Sequence, residues 1–239
     1  MRLKAVLFDL DGTLLPMDQD VFVRSYMKRL AARLAPFGYD PKQLIAAIWE
    51  GTGAMVANDG AMTNEEAFWA RFTQLLGAHT RQDEPKFDEF YRTDFQEVRH
   101  DCGFDPAAAG AVREIQDLGL RVTLATNPIF PAVATHSRIR WAGLETGDFE
   151  IITTYENSRH CKPNLDYYRD ILAQMGLQPG ECLMVGNDVT EDMVAGTLGM
   201  KTFLITRDLI NKENKDISAW PNGDFDGFLA YIQEILDQQ

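Results

Sequence analysis

The stretch Ala5-Val6-Leu7-Phe8-Asp9-Leu10-Asp11-Gly12-Thr13 changes character halfway along its length. Ala5 to Phe8 is continuously apolar, as a strand covered on both faces requires. Asp9 and Asp11 then place two carboxylates one residue apart as the chain leaves the sheet, on one face because alternate side chains share it. Gly12 permits a tight backbone turn. Such a pair can hold a hard cation while one carboxylate attacks an electrophile and the other handles protons. Asp-Gly-Thr by itself is also ordinary turn chemistry, so the ends of the other strands decide between the two readings.

Four further apolar runs rich in β-branched residues read as buried strands: Val122 to Ala125, Glu150 to Thr153, Cys182 to Val185 and Thr202 to Ile205. Helical patterns precede or separate them at Ala107 to Leu118, Pro131 to Trp141, Leu165 to Met175 and Glu191 to Leu198. Strict alternation of β and α predicts an α/β fold with a doubly wound parallel sheet, Rossmann-like in plan. The first strand breaks the rhythm. The residues after it read as helices over Gln19 to Leu34, Pro41 to Val56, Asn64 to Leu76 and Pro85 to Val98. Pro41 suits a first helical turn and Thr63 with Glu66 makes a capping box. The spacing of Val21, Phe22, Tyr26 and Leu30 has the helical period. The expected organisation is a catalytic core of residues 1–16 and 103–239 with a helical cap domain, 17–102, inserted after the first strand. Because ligands of open α/β sheets bind beyond the carboxyl ends of the strands, an insertion rooted there is expected to sit over the site as a lid. The stretch Arg207 to Pro221 reads as irregular, and a short amphipathic helix over Phe225 to Leu236 closes the chain.

Each strand end supplies a different part. The second ends in Thr126-Asn127, a hydroxyl and an amide beside free backbone N–H groups, all donors for phosphate oxygens. After the third comes Lys162, stiffened by Pro163, which can neutralise a phosphate or a nucleophile. The fourth ends in Gly186-Asn187-Asp188, with Asp192 one helical turn further on, so that both carboxylates can face the same way. Taken singly, each has a plainer reading as turn, surface charge or helix cap. Together they fall in order along the line where this architecture assembles its sites.

The composition fits. A chain of 239 residues, 45% hydrophobic and 25% charged, can bury a sizeable core. The net charge of −13 argues against nucleic acid or an anionic membrane as partner. An acidic protein that binds phosphate must overcome its own field locally, with a metal ion, backbone N–H groups and a well-placed Lys. The N-terminal apolar run meets Asp9 too early for a signal-peptide core, and no run approaches the roughly 20 apolar residues of a membrane span. Three cysteines, Cys102, Cys161 and Cys182, odd in number and without metal spacing, suit reduced structural thiols and a cytoplasmic location.

The set closely resembles the haloacid dehalogenase superfamily over residues 4–20 and 103–206: the Asp-x-Asp-Gly-Thr first motif at Asp9, the Thr of the second at Thr126, the Lys of the third at Lys162, and the acidic Gly-x-Asp of the fourth at Asp188 with a following Asp192. The resemblance implies Asp9 as nucleophile, Asp11 as general acid and base, Thr126, Asn127 and Lys162 as phosphate ligands, and Mg2+ held by Asp9, the Asp11 carbonyl and Asp188, with Asp192 a further ligand or a supporting acid. It implies a magnesium-dependent phosphatase acting on a small phosphate ester through an aspartyl-phosphate. Asp11 separates this chain from dehalogenases, which need no acid for a halide, and from phosphonate hydrolases, which resemble it less. A sugar-phosphate mutase of the same capped type is the nearest alternative, and a non-catalytic phosphate-binding or regulatory protein is the alternative from another class. Arg24, Lys28, Trp49, Trp69, Arg71 and the four histidines receive no role.

Overall fold

A computed structural model describes residues 2–239. Its sheet has five parallel strands in the order β2-β1-β3-β4-β5: β1 Ala5–Phe8, β2 Arg121–Leu124, β3 Cys182–Gly186, β4 Lys201–Ile205 and β5 Asn222–Gly223. The first strand is central, pairing Val6 with Val122 on one side and with Leu183 on the other. Every residue of β1 and β3 is buried, which is why both lack polar alternation.

Two strand expectations need correction. Glu150 to Thr153 is not a regular strand: it lies beside β2 as an outer edge, joined by a single bridge between Leu124 and Ile152. Glu150 N–H donates to Val122 O at 2.8 Å and Leu124 N–H to Ile151 O at 2.8 Å. Thr153 N–H still donates to Leu124 O at 3.1 Å, while the Ile152 carbonyl faces away from β2 and is taken by the Asn157 side chain at 2.8 Å. Conversely, β5 comes after the stretch read as irregular and consists of two residues paired with Leu204 and Ile205, too short to leave a periodic signal.

Helices α1 Gln19–Leu34, α2 Pro41–Val56, α3 Asn64–Leu76 and α4 Glu84–Arg92 come after β1. Asp18 and Asp40 cap the first two, and Thr63 and Glu66 form the expected reciprocal box on the third. The fourth helix is shorter than its pattern: Thr93 leaves helical geometry, its hydroxyl bonds back to Glu89 O at 2.7 Å, and 3-10 turns run from Asp94 to Asp101. The two ends of this helical insertion meet, with Gly103 N–H donating to Pro16 O at 2.7 Å. A second fastening lies at the start of α3. Asn64 N–H donates to Ser158 O and Glu65 N–H to Tyr155 O, each at 2.8 Å, while the fully buried Asn64 side chain reaches Pro128 O at 3.2 Å. Aromatic packing completes the junction: Phe130, in the loop beyond β2, meets Phe22 and Tyr26 of α1 at ring separations of 6.1 and 5.5 Å.

The remaining helices are α5 Pro106–Asp117, α6 Ala132–Trp141, α7 Leu165–Met175 and α8 Phe225–Asp237. The helix expected over Glu191 to Leu198 is a 3-10 segment, Met193–Leu198. Asp192 turns its carboxylate back onto Gly186, where a Cβ would come within 2.1 Å of it, and Gly196 and Gly199 weaken any helix beyond Asp192. Among the described residues, no helix is long and apolar enough to cross a membrane. The three cysteines are free, and burial pushes each thiol up to about 12.

Candidate active site

Beyond Phe8 the chain continues the ladder for one more bond, Asp9 N–H to Val185 O at 2.9 Å, and then turns. Gly12 has φ +82°, and a Cβ there would lie 2.2 Å from Asn187 Nδ2, so only glycine fits both the backbone and the neighbour. Thr13 is buried, with its hydroxyl 3.0 Å from Asp9 Oδ2 and 3.2 Å from Asn187 Oδ1. Strand order therefore explains the site. The central position of β1 brings Asp9 beside the end of β3, and the loops after β2 and before α7 close around it.

Lys162 is 2% exposed and donates to Asp9 Oδ1 at 2.9 Å and to Asp192 Oδ1 at 2.6 Å. Burial pulls its ammonium down, but the charges of Asp192 and Asp9 outweigh this and hold it well above the usual lysine range. Burial pushes Asp192 up against the pull of Lys162. The other oxygen of Asp192 accepts Asp188 N–H at 3.0 Å. Asp188 Oδ1 in turn caps the next turn, accepting Thr190 N–H at 2.7 Å and Glu191 N–H at 2.8 Å. On the other side, the Thr126 carbonyl is fixed by the Thr153 hydroxyl at 2.7 Å and the Tyr167 hydroxyl at 2.9 Å. Asn127 donates to Glu191 Oε2 at 3.0 Å and accepts Lys162 N–H at 3.3 Å.

Asp9, Asp11, Thr126, Asn127, Asp188 and Asp192 all line one cleft, of about 720 Å³ with its mouth included. Lys162 stands behind Asp9 and is not part of that wall. The cleft is rich in carboxylates, with Glu191 as a fifth beside the four aspartates and Lys212 as its one cation among the described residues. Burial pushes the Glu191 carboxyl up to about 7.

Sequence reading missed Arg138. It sits inside α6, fully buried, and forms an ion pair with Asp11 Oδ2. The guanidinium lies 4.4 Å from the Phe130 ring centre, and Nη2 reaches the Thr135 hydroxyl at 3.2 Å. Burial pushes the Asp11 carboxyl up, against the pull of Arg138, and the charge of Asp9 pushes the same way as burial. Asp11 Oδ1 is buried without a hydrogen-bond partner. A lone Arg on a helix usually marks the solvated face, and only its position among Ala134, Thr135, Ile139 and Trp141, all buried, could have signalled otherwise. Replacing it should be costly. Arg138→Met is expected to lower stability by about 3 kcal/mol, because Asp11 keeps its burial and loses its cation. Urea denaturation checks this, and the deficit should grow as pH rises through the raised Asp11 value, since the charged carboxylate is what is orphaned.

The profile of the haloacid dehalogenase-like hydrolases matches residues 3–197, and the chain belongs to that family. It is 22% identical to pyrophosphatase PpaX of Bacillus velezensis over 84% of this chain and 82% of that one. It is 24% identical to the phosphoglycolate phosphatase of Vibrio vulnificus over 86% of this chain and 84% of that one. The crystal structure of a 2-haloacid dehalogenase from Pseudomonas syringae superposes with a TM-score of 0.62 at 18% identity, covering 99% of both chains, a likeness of fold alone.

Proposed function

We propose that the chain is a magnesium-dependent phosphomonoester hydrolase that acts on a small phosphorylated metabolite through a phospho-aspartate at Asp9. The observation that carries this reading is the pairing of two carboxylates with separate cations in one cleft: Asp9 with Lys162 at 2.9 Å, and Asp11 with buried Arg138. Two acids two residues apart are thereby given different chemistry.

Asp9 attacks phosphorus in line and the bond to the alcohol oxygen breaks. Asp11, whose carboxyl is pushed up by burial, gives its proton to the departing alkoxide. Arg138 then stabilises the Asp11 carboxylate. That carboxylate takes a proton from water as the water attacks the phospho-Asp9 phosphorus, which restores both side chains. The products are the alcohol and inorganic phosphate. Thr126 and Asn127 bind the phosphoryl oxygens, and Lys162 holds Asp9 in place as the charge on it changes. Residues 17–102 act as a cap over the core formed by 1–16 and 103–239, excluding water from the first step.

The donor set suits magnesium. Among the described residues no three His, Cys, Asp or Glu side chains converge as a ready-made metal cage. Magnesium does not require one, because it retains several waters and binds through one or two carboxylates plus substrate phosphate. Asp9, Asp188 and the Asp11 carbonyl would hold it, with Asp192 behind them. The surplus of carboxylates in the cleft favours a cation there. When bound, the ion supplies charge neutralisation between carboxylate and phosphate. EDTA is expected to lower phosphate release by at least about 100-fold, with added magnesium restoring it. Unchanged rates in chelator would remove the metal from the proposal.

A further inference from the structure

A second pocket adjoins the catalytic cleft and has the opposite chemistry. Val23, Ile129 and Phe130 line both and form the boundary between them. The second runs between α1, α2, α3 and α4 and encloses about 730 Å³ with its open mouth included. Its wall carries Tyr26, Trp49, Phe68, Trp69, Phe87 and Tyr155, with Glu84 and Asp88 as its charged members and no Lys or Arg. Trp49 is 52% exposed at this pocket, a large apolar surface left in water. Trp69 is 5% exposed, with its indole N–H buried and turned towards Tyr155.

We infer that this pocket receives the alcohol portion of the substrate, and that the preferred substrate is a phosphate monoester of an aromatic, uncharged or cationic alcohol. The inference deepens the phosphatase reading and rests on it. A phosphoryl group held at Asp9 directs its leaving group past Val23 and Phe130. An aromatic ring placed there stacks among aromatic neighbours and gains their burial. A carboxylate or phosphate leaving group meets Asp88 with no Lys or Arg on the wall, Glu84 being already paired with Arg81 at 3.2 Å. The phosphoglycolate and pyrophosphate chemistry named in two relatives is therefore disfavoured here.

The test compares benzyl phosphate with 2-phosphoglycolate and inorganic pyrophosphate as substrates of the full chain with magnesium. The leaving groups of benzyl phosphate and 2-phosphoglycolate differ chiefly in charge and apolar area, while pyrophosphate is an anhydride with the better leaving group and so biases its comparison against the inference. Benzyl phosphate is expected to have kcat/KM at least about tenfold above either anionic substrate. In Trp49→Ala that ratio should fall at least about fivefold, mainly through KM for the aromatic ester. Equal or reversed preference in the wild type overturns the inference while leaving the phosphatase reading intact. A second readout needs no turnover. Asp9→Asn is titrated with benzylphosphonate and with phosphonoacetate, following tryptophan emission, since Trp49 and Trp69 both line the pocket. Tighter binding of the aromatic phosphonate by at least about tenfold supports the pocket's assignment to an aromatic group, and absence of ester hydrolysis beside it would count against the phosphatase reading and not against that assignment. Equal or weaker binding overturns it.

Discussion

Asp9→Asn should fold like the wild type and lose turnover by at least about 10⁴-fold, the scale expected when a nucleophile that acts as part of a unit is removed. Asparagine has nearly the same shape and retains an oxygen able to accept from Lys162 or Thr13, which lie 2.9 and 3.0 Å from the two Asp9 oxygens. Removing a carboxylate from a site where Asp9 and Asp192 share one ammonium relieves charge rather than orphaning it. Stability is therefore expected to stay within about 1 kcal/mol of wild type. An amide cannot form the phospho-enzyme, so the rate should collapse without a change in melting. Retained turnover in a preparation free of contaminating phosphatase would remove Asp9 from the role, and a large fall in stability would make it structural.

Lys162→Met is expected to damage both properties. The ammonium is the shared partner of Asp9 and Asp192, and all three are buried. Its removal leaves two carboxylates facing each other in a dry site, a loss of about 3–5 kcal/mol by the usual cost of breaking a buried pair. Activity should fall by about 10²–10³-fold or more, because the charge that holds and balances the nucleophile is gone. Adding Asp192→Asn should recover part of the stability and none of the activity, since it removes one orphaned charge without replacing the cation. The pH dependence has a definite sign. Burial already pushes Asp192 up, and loss of Lys162 pushes it further. A raised carboxyl value means stability is lost as pH rises through it, so the variant's deficit should shrink from about pH 8 to pH 6. A deficit that is constant over that range would contradict this role for Lys162.

The core strands were legible because burial on both faces leaves an uninterrupted apolar run, as in Ala5–Phe8 and Cys182–Gly186. The strand ends were legible for the same reason, since a charged residue directly after such a run has few other places to go. The outer edge at Glu150 to Thr153 reads as a strand too, but it meets β2 at a single bridge and its outward Ile152 carbonyl goes to the Asn157 side chain, which no periodicity records. Asp192 shows a second limit. Its spacing from Asp188 suggests one helical turn, but the segment is held by Lys162 and by the contact with Gly186, and the turn tightens to 3-10 geometry. Arg138 was invisible because its partner is remote in sequence: the pair with Asp11 spans 127 residues. The apolar pocket was invisible too. Aromatic residues at helical spacing read as core, and whether Trp49 and Trp69 pack or line a cavity depends on how four helices meet.

The central claim, a phospho-enzyme at Asp9 resolved by Asp11, is tested most directly with Asp11→Asn and para-nitrophenyl phosphate in the presence of magnesium. This ester needs little help from an acid to expel its alcohol, while the phospho-aspartate still needs a base to activate water. The account predicts a burst of about one nitrophenolate per protein molecule, slow turnover afterwards, and a mass gain of about 80 Da on the peptide that carries Asp9. Turnover at the wild-type rate with no burst, or a phosphoryl group found on another residue, would contradict it.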